Sequence, residues 1–538
     1  MRRILTLSFL CISIAHCYAQ LPLPKDFLSK DFHKGRRDEL RKLLPPNSVM
    51  AIFAFQSRNF SNDVDYKYHA NPDLYYFSGY TEPNSVLLIF KDAQKDSANQ
   101  SYNELFFVQK KDARSEQWTG KRLGVDGVKE QLGFTNVYNA ADFEKFPLDL
   151  TQFDKVVFEF PQDISDKLSE TDGVYELVKT FRKKAGIPED FDAEITAELA
   201  SRVSDPRVMQ AAYLQRTVNH YKGIAAADER YKRSGFANRL ITVKDSTELS
   251  SLIKEMDALK WSSALYTTYT NELRQIKTPE ELVLMRKAID ISALAHNEAM
   301  KAVKPEMSEL ELQGVQEFIH KKLGAEYVGY PSIVGAGNNG CVLHYIENNV
   351  TNVGNKMVLM DVGAEYHGYT ADVTRTFPAN GKFTTEQKQI YDIVYEAQEA
   401  AFKVCKDGSS FEKVEKAARD VVAKGLVRLG VIKEENENFT YYPHGCSHFL
   451  GLDVHDKGFY EGLKENMIIT VEPGIYIPEG SNCDKKWWGI AVRIEDDVLI
   501  GKDKCEILSS LAPRKTGDVE KMSSQKSFVD NIRVNLRK

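Results

Sequence analysis

Val358-Leu359-Met360-Asp361-Val362-Gly363-Ala364-Glu365-Tyr366-His367-Gly368-Tyr369-Thr370-Ala371-Asp372-Val373-Thr374-Arg375-Thr376-Phe377 is the stretch around which the rest of the chain is organised. Two runs rich in β-branched and aromatic residues flank Glu365-Tyr366-His367-Gly368, which reads as strand, tight turn, strand. A turn centred between Tyr366 and His367 puts Asp361 opposite Asp372, with Cβ atoms about 5 Å apart. Two carboxylates opposed among Leu, Met and Val repel each other in a poorly solvated place and call for a positive partner. His-Gly is a weaker turn signal than Asn-Gly, and a one-residue slip would put the acids on opposite faces. Two exposed strand-end acids are the competing reading.

Other candidates lie further along. His344 sits in Gly340-Cys341-Val342-Leu343-His344-Tyr345, and His444, His448 and His455 fall in His444-Gly445-Cys446-Ser447-His448-Phe449-Leu450-Gly451-Leu452-Asp453-Val454-His455. Taken singly, each is better explained as a hydrogen-bonded core residue than as a ligand. Glu472 ends the apolar run Ile468-Ile469-Thr470-Val471, and Glu495 follows Ile490-Ala491-Val492-Arg493-Ile494. Strand periodicity puts Arg493 and Glu495 on one face, where a simple ion pair competes with a site. The run Ile468 to Gly474 echoes Val358 to Gly363, each leading apolar residues into acid-x-Gly, as two half-domains around a shared pocket would.

Assembled, two Asp, two Glu and a His make an oxygen-rich site with one nitrogen. It carries too much negative charge for one cation and about enough for two. Mn²⁺ suits it best, with Co²⁺, Zn²⁺ or Fe²⁺ as alternatives. Paired ions lower the pKa of a shared water and clamp a scissile carbonyl, so the chemistry expected is metal-assisted hydrolysis.

At 538 residues the chain exceeds one ordinary core, and a formal net charge of −6 with mixed acids and bases leaves no basic stripe for nucleic acid. Arg2-Arg3, the apolar run Ile4 to Ala15 and Cys17-Tyr18-Ala19 read as a signal peptide over residues 1–19, predicting an exported protein, periplasmic or secreted, with no membrane span. Cys17 as a lipid-attachment site is the alternative, poorly matched by the bulky His16. The five later cysteines show no C-x-x-C pair and identify no disulfide.

Residues 20–190 alternate strands (Ser48 to Phe55, Val86 to Lys91, Leu105 to Gln109, Val156 to Phe160) with helical segments, an α/β domain. Core packing accounts for the aromatic stretch Tyr66 to Tyr80. Across 191–270 strands disappear, and the text reads as a helical insert or connector broken at Asp205-Pro206 and Ser234-Gly235. Thr278-Pro279-Glu280-Glu281 opens a helix running to Val303, Ser308 with Glu311 another, and Thr384 with Gln387 a third ending near Gly408. Phe411 to Leu429 is a fourth. Residues 271–522 therefore form an α/β or α+β catalytic domain, and 523–538 a polar tail.

The ordered set Asp361, Asp372, His448, Glu472 and Glu495, with His-Gly-x-Ser-His, Glu-Pro-Gly and Arg-Ile-Glu-Asp around it, closely resembles the pita-bread metallopeptidases, and among them the Xaa-Pro aminopeptidases (aminopeptidase P). Asn71-Pro72-Asp73-Leu74-Tyr75-Tyr76-Phe77-Ser78-Gly79 and Trp118-Thr119-Gly120-Lys121-Arg122-Leu123-Gly124 resemble that family's N-terminal domain. The resemblance implies an α+β pita-bread catalytic domain and release of the N-terminal residue from peptides with proline second, by attack of a hydroxide bridging two metal ions. Asp361 and Asp372 would bind one ion, with Asp372 bridging, His448 and Glu472 the other, and Glu495 both. Glu472 would take the proton of the attacking water. His344 and His455 would orient substrate, His444 would assist proton transfer, and Arg493 would support the site from behind. Trp118 would wall the pocket, of a neighbouring subunit if the chain forms a homodimer or homotetramer like its relatives. The insert has no counterpart in the compact bacterial form. The rival readings are a prolidase restricted to Xaa-Pro dipeptides, a non-catalytic peptide-binding homologue, and a metal-free creatinase-like hydrolase.

Overall fold

In the computed structural model, residues 26–96, 98–166, 172–203 and 205–532 are described. The signal-peptide and Cys17 readings lie outside them. Among them no helix is long and apolar enough to cross a membrane.

The N-terminal domain is built on a six-stranded mixed sheet in the order 137–139, 101–108, 86–95, 48–53, 155–159, 261–262. Its central strand Ser48–Phe53 is buried along its whole length, which explains a sequence of continuous apolar residues. Asn71 caps the Pro72–Ser78 helix through its side chain, and Gly79 closes it at φ 74°. Tyr75, Tyr76, Phe77 and Tyr80 are buried, as core packing expects, whereas Tyr66 is exposed and Tyr68 half-buried ahead of the helix. The outermost strand corrects the sequence reading. Trp261–Ser262 lies inside the segment read as strandless, yet pairs in parallel with Val156 and Val157. Two residues are too few to show a period.

Between these strands, residues 193–257 fold as short helices around their own apolar cluster, including Leu199, Leu214, Tyr221, Leu240 and Leu252. A buried ion network joins the N-terminal domain to the rest. Arg274 bonds Asp73 (2.7 Å), Asp453 (2.7 Å) and Asp456, Lys277 bonds Asp456 (2.7 Å), and Lys457 bonds Asp73 (2.8 Å).

In the catalytic domain, Pro279–Ala302 and Glu309–Lys322 begin with capping boxes at Thr278/Glu281 and Ser308/Glu311. The third helix stops at Phe402, short of Gly408, and Phe411–Arg428 follows. These helices cover small antiparallel sheets. Met357–Val362 pairs with Val373–Pro378, Ile468–Val471 with Asp496–Ile500, and Gly474–Ile477 with Ile490–Arg493. The two halves meet where Glu495 N donates to Thr374 O (3.1 Å) and Thr376 Oγ1 donates to Arg493 O (3.0 Å). Residues 523–532, read as tail, are docked: Phe528 stacks near Phe318, and Asp530 pairs with Lys304.

Candidate metal centre

The hairpin register differs from the sequence reading. Tyr366 pairs with Tyr369 and Asp361 with Thr374, so the turn residues are His367 and Gly368, at φ 51° and 85°. Positive φ at both central positions matches the strand twist in a two-residue loop. Moving the turn centre by one residue shifts the pairing by two, which keeps both acids on one face. Asp361 and Asp372 are therefore diagonal rather than opposed, and both reach the Tyr330 hydroxyl, Asp361 Oδ1 at 2.5 Å and Asp372 Oδ1 at 2.6 Å.

Each remaining candidate arrives on a different element. The His-Gly-Cys-Ser-His run lies along strand Ile468–Val471: Glu472 N donates to Cys446 O (2.9 Å) and Thr470 N to His448 O (2.9 Å). The run is thereby held in register with Glu472. His448 Nδ1 donates to Phe449 O (2.9 Å), leaving Nε2 to face Asp372 Oδ2 and Glu472 Oε1, each at 3.4 Å. Glu495 Oε2 accepts from Thr374 Oγ1 (2.6 Å). The ligand atoms of Asp372, His448 and Glu495 lie within 4.8 Å of one another.

Arg493 is buried behind the acids. Its Nη2 donates to Asp361 Oδ2 (2.5 Å), Nη1 to the Tyr476 hydroxyl (2.8 Å) and Nε to Thr374 Oγ1 (3.1 Å). Because Tyr476 accepts from arginine, its own proton goes to His444 Nε2 (2.8 Å), and His444 Nδ1 donates to Gly445 O (2.8 Å). His444 Nδ1 stands 3.6 Å from Glu472 Oε2. His455 is exposed at the rim, its ring 4.0 Å from that of His448, and His344, also exposed, is near enough to disfavour its protonation. Trp118 stands apart, 84 % exposed on the Ala113–Thr119 helix, none of whose residues is buried.

Several contributors carried no sequence signal. Tyr330 and Thr374 bond the acids from outside any recognisable motif. Asp497 accepts from the Asp372 backbone N–H (3.1 Å) while its other oxygen is buried without a partner. Its place beside Asp496 in Arg-Ile-Glu-Asp-Asp was the available hint.

The electrostatics follow from crowding. Burial, then repulsion from Asp372, Glu472 and Asp361, pushes the Glu495 carboxyl well above the carboxylate range. Burial and Asp361 raise Asp372. Burial raises Glu472 to about 7, with His448 and Arg493 limiting the rise and Asp372 and Asp361 adding to it. Burial opposes a charge on His448, but the Asp372 hydrogen bond and Glu472 outweigh it and lift the imidazole to about 9. Burial holds His444 at about 4, and burial with His448 and His344 holds His455 at about 4. The donor set thus carries more negative charge than Arg493 and one imidazole satisfy. Such a donor set could hold divalent metal.

Residues 283–502 match metallopeptidase family M24, and residues 33–158 match the aminopeptidase P N-terminal domain. Xaa-Pro aminopeptidase of Escherichia coli (strain K12) is 32% identical over 505 residues, spanning 92% of this chain and 97% of that protein. The chain belongs to metallopeptidase family M24. It is a metallo-aminopeptidase of the aminopeptidase P type, with that family's N-terminal domain and pita-bread catalytic domain. Rattus norvegicus Xaa-Pro aminopeptidase 3 is 31% identical over 478 residues, 87% of this chain and 79% of that one. Aminopeptidase P from E. coli, solved with the inhibitor Pro-Leu, superposes at a TM-score of 0.71, with 28% identity over 92% of this chain and 98% of that one. A zinc-substituted form of the E. coli enzyme, in complex with product, matches equally well.

Proposed function

We propose that this centre binds two divalent cations, Mn²⁺ by best match, and hydrolyses the N-terminal Xaa-Pro bond of peptides. The observation carrying this reading is the convergence of Asp372, His448 and Glu495 ligand atoms within 4.8 Å, flanked by Asp361 and Glu472. Asp361 and Asp372 would hold one ion, His448 and Glu472 the other, with Asp372 and Glu495 shared. When bound, the ions supply acidification of a water and polarisation of the scissile carbonyl. The protein's residues do the rest. Glu472 would take a proton from the attacking water and return it to the leaving proline nitrogen. His455 at the rim stays neutral and can donate a ring N–H to a substrate oxygen without bringing charge, with His344 beside it. Arg493 and Tyr476 fix Asp361 and His444 against the strands, so the donors are preorganised.

The preference for proline second is supported by the names of the similar proteins. Export after cleavage of residues 1–19, and assembly into a homodimer or homotetramer in which Trp118 walls a neighbour's pocket, belong to the same proposal. The test is hydrolysis of Arg-Pro-Pro, Arg-Ala-Pro and Ala-Pro with Mn²⁺ and after chelation. Release of Arg from the first alone is expected. Cleavage of Ala-Pro alone would establish a prolidase, and no metal-dependent cleavage would leave a peptide-binding homologue.

A further inference from the structure

The metal centre uses no cysteine, yet two cysteines on separate segments meet elsewhere. Cys405 N–H donates to Phe402 O (3.2 Å), and the Cys505 thiol donates to the same oxygen (3.6 Å), which brings the two residues together. Cys405 lies in the turn leaving the Thr385–Phe402 helix, its N–H donating to Ala401 O (3.2 Å). Cys505 opens the edge strand Cys505–Ile507 and pairs with Ile500. The two segments are laced together around this contact, where Asp407 N donates to Gly501 O (3.0 Å). Both side chains belong to one apolar cluster, Cys405 fully buried and Cys505 at its edge.

We propose that Cys405 and Cys505 are a disulfide site, which closes when the protein meets a disulfide oxidant and clamps the turn after the Thr385–Phe402 helix to the hairpin that begins one residue beyond Glu495. The inference is independent of the peptidase reading. The geometry assigns the two sulfurs different parts. Cys505 is half-buried at the edge of the cluster, and the neighbouring Cys405 holds its thiol below the ordinary value, so it supplies the attacking thiolate. Cys405 is shielded, its thiol pushed well up by Cys505 and by burial, and it resolves. With oxidised glutathione, the Cys505 thiolate attacks one glutathione sulfur, forming a mixed disulfide and expelling the other as thiolate. Cys405 then loses its proton to that thiolate, attacks Cys505 Sγ and expels the second glutathione. Two protein thiols and one oxidised glutathione thus become one protein disulfide and two reduced glutathiones. Cys446 is buried in the same apolar cluster. The bond would close a loop of about 100 residues, a length at which the constraint on the unfolded chain is large.

The test is a peptide map of the full chain, incubated with oxidised glutathione, alkylated and digested without reduction. A linked peptide pair carrying Cys405 and Cys505, lighter than the free thiols by two hydrogens and released by dithiothreitol, is expected. The Tm of the oxidised protein should exceed that of the reduced protein by roughly 5–10 °C, and Cys405→Ser and Cys505→Ser should each abolish the difference. Recovery of both cysteines as alkylated thiols, a lasting glutathione adduct on Cys505, or a link to Cys446 would overturn the proposal. The map of the unaltered chain decides the matter even if a serine variant fails to fold.

Discussion

Replacing Arg493 by Met keeps the length of the side chain and removes its charge and three hydrogen bonds, to Asp361, Tyr476 and Thr374. Without metal, Asp361 is left buried next to Asp372 with no cation against it. Breaking a buried ion pair from one side costs about 3–5 kcal/mol, which at about 2–4 °C per kcal/mol lowers the Tm of the chelated protein by roughly 10 °C. Divalent cations restore positive charge to the same oxygens, so the Tm gap between chelated and Mn²⁺-loaded protein should be wider in Arg493→Met than in the unaltered chain. Activity behaves differently. Asp361 loses its orientation, and kcat/KM should fall about 10- to 100-fold at saturating Mn²⁺. Arg493→Lys, which restores charge but not the three-way fork, should recover the chelated Tm more fully than the rate. Scanning calorimetry with and without EDTA, alongside peptide hydrolysis, separates the two effects. An unchanged chelated Tm with unchanged kcat/KM would refute this account of Arg493.

Glu472→Gln should lower kcat by about 10²–10⁴-fold with little change in substrate affinity, read from turnover and from binding of a competitive dipeptide. Acid should destabilise the fold through its buried neutral histidines. Burial holds His33 and His296 at about 4 and His320 at about 3, whereas the unfolded chain takes up these protons near 6.5. Their share of stability is therefore complete above pH 6.5 and is lost as pH falls toward 4, by about 2 kcal/mol each at pH 5. Urea melts at pH 7.5 and 5.0 measure it, and His320→Gln should remove about 2 kcal/mol of the difference. Asp73→Ala, which takes from Lys457 its nearer carboxylate and from Arg274 one of three, should cost about 3–5 kcal/mol in the same melts while leaving metal content intact.

The caps were legible in the sequence because each is a local chemical event. Thr278 with Glu281 and Ser308 with Glu311 place helix starts within a few residues whatever packs above them. The facing of Asp361 and Asp372 was also legible, though not their register. Face depends on parity alone, whereas register depends on the turn, and a His at φ 51° is not foreseeable from His-Gly. Trp261–Ser262 escaped notice because a two-residue strand is defined by its partner. Tyr330, Thr374 and Asp497 escaped for a related reason: each acts by a hydrogen bond across more than 30 residues of chain. The docked end at residues 523–532 runs against its polarity, with Phe528 set against Phe318 and Asp530 paired with Lys304.

The central claim is that the buried carboxylates and His448 are a two-ion hydrolytic centre. It is tested most directly by titrating Mn²⁺ into chelated, dialysed protein while following both bound metal and hydrolysis of Arg-Pro-Pro. The account predicts no cleavage without metal, and a rate that climbs with occupancy and levels off at about two ions per chain. Full activity in metal-free protein, or two bound ions with no cleavage, would contradict it.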